Sequence, residues 1–268
     1  MNNSNERQAH EVDYQIFGEE MQFVEIELDP CESIIAEAGA MMYMSDAIEM
    51  DTIFGDGSIG SESKGIMGKV LDAGKRMITG ESLFMTKFTN KGQGKKHVSF
   101  ASPYPGKIIP IDLRDVSQKI ICQKDAFLCA AKGVAVGIDF KRKISVGLFG
   151  GEGFIMQKLE GDGLIFMHAC GTVTKKELAP GETLKVDTGC IVALTKDVKY
   201  DITFVKGVKT MFFGGEGLFF ATVTGPGTVW LQSLPFSRLA ARVLAGAATT
   251  RKEEGSLLGG LGNLIDGD

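Results

Sequence analysis

Three features of the chain predict an all-β fold: a glycine-framed block that recurs, a second block at constant spacing from it, and short apolar runs of two-residue period. Residues 150–166 read GGEGFIMQKLEGDGLIF and residues 214–230 read GGEGLFFATVTGPGTVW, an offset of 64 residues. A weaker third copy, GESLFMTKFTNKGQG, lies at 80–94, where Glu81 answers Glu152 and Glu216, and Gly92 answers Gly163 and Gly227. The second block is LDPCESIIAEAGAMM at 28–42 and LAPGETLKVDTGCIV at 178–192; the middle copy, RDVSQKIICQKDAFL at 114–128, keeps the apolar pattern with Asp125 in place of glycine. Asp125 to Glu152 and Gly189 to Glu216 are both 27 residues, whereas Gly39 to Glu81 is 42, so the first copy carries a 15-residue insertion. Self-similarity at a fixed period is the signature of a repeated structural unit.

Each unit is predicted to be built of strands. Gln22, Val24, Ile26 and Leu28 alternate with Phe23, Glu25 and Glu27, as a half-buried strand requires. SLFMTKF, FIMQKL, LIFMHA, CIVALT and LFFATV are short apolar runs bounded by Gly, Pro, Asn or Asp, the residues of hairpins and turns. Asp162 between Gly161 and Gly163, and Pro226 between Gly225 and Gly227, mark one tight turn twice. Small β units that repeat and stack form sandwiches, barrels or short double-stranded β-helices. The expectation is therefore three tandem units about a pseudo-threefold axis: residues 1–101, 102–170 and 171–234. The insertion near 64–80, KGIMGKVLDAGKRMITG, places Ile66, Met67, Val70, Leu71, Met77 and Ile78 at helical spacing with a basic polar side. After the third unit, residues 235–268 begin with PFSRLAARVL, where Pro235 and Ser237 suit a helix start and Phe236, Leu239, Ala240, Val243 and Leu244 share one face. The glycine-broken segment GSLLGGLGNLIDGD follows.

Composition excludes several classes. The 268 residues are 44% hydrophobic and 24% charged with a net charge of −5, which rules out wholesale disorder and a general basic nucleic-acid binder. No 18-residue apolar run is present, and the polar start MNNSNERQAHEVDYQ has no signal-peptide core, so a cytoplasmic setting is expected. Cys31, Cys122, Cys129, Cys170 and Cys190 form no CxxC pair, so neither a zinc ribbon nor a redox pair is expected. Gly55-Asp56-Gly57-Ser58-Ile59-Gly60 fits G-x-G-x-x-G literally, but no βαβ pattern surrounds it and Asp72 stands too near to serve a ribose. His10, His97 and His168 are too dispersed for a metal cupin, and no GxSxG elbow occurs. No catalytic residue, cofactor or metal is predicted.

One constellation remains. His97, His168 and Gln232 each follow their unit's glutamate (Glu81, Glu152, Glu216) by 16 residues. A pseudo-threefold axis would array these pairs as a polar ring able to hold an anion, metal or small ligand. The more ordinary expectation is that they satisfy backbone groups of turns.

ESIIAEAGAMMYMSDAIEM, AGKRMITGESLFMTKFTNKGQG, FGGEGFIMQKLEGDG, LAPGETLKVDTGCIVAL and FFGGEGLFFATVTGPGTVWLQSL, spread over residues 14–245, closely resemble the "altered inheritance of mitochondria" protein twenty-four family. Asp125 departs from the glycine of the other units. The resemblance implies a fold like that of the tryptophan RNA-binding attenuation protein, assembled as a flat trimeric ring, and it carries no catalytic residues. The functional expectation is a non-enzymatic, ring-forming scaffold or assembly protein. It would be a homotrimer, with membrane-surface contact through residues 64–80 or 236–248. The second expectation is a small-ligand or single-stranded RNA module on the same ring. RNA would need basic residues interleaved with aromatics, which Lys91–Lys96 and Lys141–Lys143 lack, so nucleic acid is not expected as a partner.

Overall fold

The structure is a computed structural model describing residues 7–37, 39–54, 84–142, 154–204, 219–243 and 246. These residues form antiparallel sheets and one C-terminal helix over 236–243, matching the all-β expectation. The proposed insertion at 64–80 lies outside the described residues.

The first seven strands are β1 (Asp13–Phe17), β2 (Phe23–Leu28), β3 (Ser33–Glu37), β4 (Met41–Met44), β5 (Ile48–Phe54), β6 (Phe84–Asn90) and β7 (Lys96–Ala101). Next come β8 (Lys107–Asp112), β9 (Lys119–Gln123), β10 (Phe127–Ala131), β11 (Ala135–Arg142), β12 (Phe154–Glu160) and β13 (Leu164–Ala169). The last six are β14 (Val173–Leu178), β15 (Thr183–Asp187), β16 (Ile191–Thr195), β17 (Lys199–Phe204), β18 (Phe219–Thr224) and β19 (Gly227–Gln232).

The strands pair in four sheets, ordered β1-β2-β7-β4, β5-β6-β3-β10-β13-β8, β11-β12-β9-β16-β19-β14 and β15-β18-β17. β7 lies between β2 and β4, β13 between β8 and β10, and β19 between β14 and β16. Likewise β6 joins β5 to β3, β12 joins β11 to β9, and β18 joins β17 to β15. A register shift falls at the same place in three of these ladders: Met41/Tyr43, Phe127/Cys129 and Ile191/Ala193. Two further ladders, β3 with β10 and β9 with β16, stitch successive groups together.

The alternation of β2 is realised in its burial, with Val24, Ile26 and Leu28 inward. β10 is buried throughout because it is central to its sheet and covered on both faces. The cores are shared between groups: Phe88 and Phe100 pack with Leu128 and Phe166, and Ile35 and Met85 pack in the cluster that holds Val192 and Trp230. Gly227 takes φ +137 where the chain turns from β18 into β19, a conformation open to glycine and costly for a side chain. At the C-terminus, the Arg238 N–H donates to the Pro235 carbonyl at 2.9 Å, opening the helix. Phe236 stacks on Tyr104 with centroids 5.0 Å apart.

Candidate functional site

Of the six polar positions singled out by spacing, Glu81, Glu152 and Glu216 lie outside the described residues. His97, His168 and Gln232 are set on β7, β13 and β19, but not at matching places. The ladders set Ala101 opposite Phe23, His168 opposite Ile108 and Gln232 opposite Val173. Each sits one residue past the partner of the bulged strand: Phe100 with Met41, Met167 with Phe127 and Leu231 with Ile191. Ala101, and not His97, therefore matches His168 and Gln232. The cause is the turn before β7. Twelve residues separate Thr89 from Ala101, against eight from Glu160 to His168 and from Thr224 to Gln232.

Their surroundings differ too. His97 Nε2 lies 3.2 Å from Glu27 Oε2, and Lys95, which also pairs with Glu27, holds that carboxyl below its usual value. Gln232 ties two loops: its Oε1 accepts from the Cys170 N–H and its Nε2 donates to the Gly189 carbonyl, both at 2.8 Å. That is the backbone-satisfying role, here for one position of the three.

His168 is 3% exposed, and neither ring nitrogen has a hydrogen-bond partner among the described residues. Of the two partners that Gln232 has, one is absent here and the other is engaged elsewhere. Pro105, three residues before Ile108, has no N–H where Cys170, three before Val173, offers one. The Asp125 carbonyl, which corresponds to that of Gly189, accepts from the Tyr104 hydroxyl at 2.9 Å. The imidazole instead meets the Tyr104 ring edge-on at 4.9 Å, and burial pulls it down to about 4 from its ordinary 6.5. No group of His, Cys, Asp and Glu able to hold a metal occurs among the described residues.

Two sheet edges stand out instead. β4 ends the first sheet and β15 begins the last. On β4 and beside it, Met42, Tyr43 and Met44 are 55%, 42% and 37% exposed. The strands at the corresponding places, β10 and β16, are almost wholly buried. β15 is mostly accessible where β3 and β9 are covered. The sequence marks β4 only as an apolar run, MMYM, with no sign that it ends a sheet.

Spacing gave no hint of a third feature, the docking of residues 7–12. The Gln8 and Ala9 N–H groups donate to the two Asp162 carboxylate oxygens at 2.7 and 2.9 Å, and Arg7 Nε donates to the Asp162 carbonyl at 2.9 Å. Arg7 also pairs with Asp112, which Arg114 and then Arg7 hold down at about 2. An open groove of about 570 Å³, lined by Lys119, Asp139, Lys196, Asp197, Lys199 and Tyr200, lies at the other junction, beside β9 and β17.

The family model described as Mitochondrial biogenesis AIM24 matches residues 14–234. The chain belongs to that family. An uncharacterised protein from Streptococcus pyogenes serotype M6 is 30% identical over 225 residues, which cover 82% of this chain and 85% of the relative. A Streptococcus pyogenes protein solved by X-ray crystallography superposes with a TM-score of 0.66 at 22% identity, covering 87% of this chain and 99% of that one. At that identity the likeness shows a shared fold. No helix among the described residues is long and apolar enough to cross a membrane.

Proposed function

We propose that the chain is a non-enzymatic scaffold or assembly protein that closes head to tail into a homotrimeric ring. Its three tandem units are read as short double-stranded β-helices about a pseudo-threefold axis, like those of the tryptophan RNA-binding attenuation protein. One observation carries the proposal. Among the sheet edges, β4 and β15 correspond to the two halves of a junction made twice inside the chain, by β10 with β3 and by β16 with β9, and neither has that partner within the chain's described residues. An unpaired strand edge is a template for another chain, and a heterologous contact gives a ring when its rotation closes.

The internal ladders supply the register for the third junction. Ala36 faces Cys129 and Cys122 faces Ala193, so Val186 of one chain would face Tyr43 of the next, Lys185 would face Met44, and Leu184 would face Ser45. The exposed side chains of Met42, Tyr43 and Met44 support burial there on assembly.

The reading includes a cytoplasmic setting and a peripheral membrane contact through residues 64–80 or 236–248, the second supported by exposed Phe236 and Val243. A polar ligand ring is not advanced, because Ala101 takes the first position beside His168 and Gln232.

Multi-angle light scattering tests the ring. Three chains of 28.8 kDa should give about 86 kDa. Tyr43→Lys with Met44→Lys places one cation opposite Lys185 and another opposite apolar Val186, and should return the mass of one chain. A wild-type monomer at tens of micromolar would overturn the proposal.

A further inference from the structure

Residues 7–12 cross the first junction in a seat shaped for them. Besides the three bonds to Asp162 and the pair with Asp112, the His10 N–H donates to the Lys132 carbonyl at 2.9 Å, and the Ser33 N–H donates to His10 Nδ1 at 2.9 Å. Ala9 is buried in a cradle that tolerates no added atom. A Cβ on Gly133 would lie 2.7 Å from Ala9 Cα, and one on Gly163 would lie 2.7 Å from Ala9 Cβ. Gln8 contributes its backbone alone and its side chain is exposed.

We propose that this seat is a peptide-recognition site for the pattern Arg-x-Ala-His, filled by the chain's own N-terminal segment and able to take the same segment from a second copy when the resident is displaced. Arg7 reads Asp112 and the Asp162 carbonyl, Ala9 is selected by size, and His10 bridges two backbone groups that lie on either side of the junction. Directional hydrogen bonds hold this short extended segment, as they hold a peptide ligand, while Ala9 and Val12 sink into the apolar cluster beneath it.

The second junction provides an internal contrast. Its turn, Lys196-Asp197-Val198, copies Lys132-Gly133-Val134 down to the same backbone bond, Val198 N–H to the Thr195 carbonyl at 3.1 Å against Val134 N–H to the Ala131 carbonyl at 3.2 Å. Yet Asp197 carries a Cβ where Gly133 has none, and Pro226 stands where Asp162 offers its carboxylate. The groove there is open. The two substitutions that close the seat are thus displayed within the same chain, and the site occurs once among the described residues.

The test uses the full-length chain carrying Ala9→Trp, which cannot enter the cradle, and a fluorescein-labelled peptide of residues 1–12 followed by anisotropy. Saturable binding to this variant is expected, and at least about tenfold weaker binding to the wild-type chain, whose seat is filled. Adding Gly133→Asp, which copies the second junction, or Asp162→Ala should each lower affinity at least about tenfold. Should Ala9→Trp fail to fold, Arg7→Ala with His10→Ala empties the anchors without adding bulk and must give the same result. No saturable binding to either unseated chain, or binding indifferent to Gly133→Asp, overturns the proposal.

Discussion

His168 is a buried imidazole with no hydrogen-bond partner among the described residues. Burial lowers it to about 4, so the folded chain resists a proton that the unfolded chain accepts near 6.5. The contribution to stability is therefore complete above pH 6.5 and is lost as the pH falls through that value towards 4, amounting to about 3 kcal/mol in all. Urea unfolding at fixed protein concentration from pH 7.5 to 4 should show this loss, and His168→Leu should remove most of it. Gln232→Leu acts in the opposite sense. It leaves the Cys170 N–H and the Gly189 carbonyl without their partner and should cost about 1–3 kcal/mol at any pH in that range, read from the same curves. At this scale the sequence was only partly legible. The residues His168 and Gln232 could be paired by counting, but neither the four-residue excess before β7 nor the substitution of Pro105 for an N–H donor shows in the count. A spacing rule reports equal numbers of residues, whereas a position on a sheet depends on how many of them the turn consumes.

Strands were easier to read than their neighbours. β2, β6, β12, β13, β16 and β18 lie in the runs that alternation or apolar content marked, and Gly161 to Gly163 and Gly225 to Gly227 mark their turns, because burial on one face of a pleat leaves a local trace. Pairing leaves none. Nothing in MMYM says that β4 ends a sheet while an apolar run such as FLCAA of β10 sits at the centre of one. The C-terminal helix is anchored by Phe236 on Tyr104 and by Arg238 Nη2 to Asp187 at 3.0 Å. An aromatic pair contributes about 1 kcal/mol beyond its buried area, so Phe236→Ala should speed amide exchange across 236–243 roughly fivefold and leave β19 unchanged. Mass-spectrometric exchange reads both segments in one experiment. The N-terminal segment illustrates the same limit: RQAH is an unremarkable polar string until Gly133, Gly163 and Asp162, more than a hundred residues away, are folded around it.

For the whole molecule, the recurrent blocks and their spacing made the β class and its rhythm readable, since matched cores demand matched apolar patterns. The stitching of one group to the next by β3 with β10 and β9 with β16 required coordinates. The proposed head-to-tail closure would have a measurable signature: the midpoint of thermal unfolding should rise with protein concentration for the wild-type chain and stay constant for Tyr43→Lys with Met44→Lys. Scanning calorimetry across a hundredfold concentration range distinguishes the two.

In the proposed ring β4 and β15 would give the chain a direction, and direction would have a genetic consequence. In that ring a copy damaged only at β4 would still offer a sound β15, so it would join an assembly and then halt it. If half of the chains in a cell carry such damage and three must agree to close, about one assembly in eight is free of it. Lesions at either edge should accordingly behave as dominant when co-expressed with the intact chain, whereas lesions that unfold the core, and so never reach the assembly, should behave as recessive.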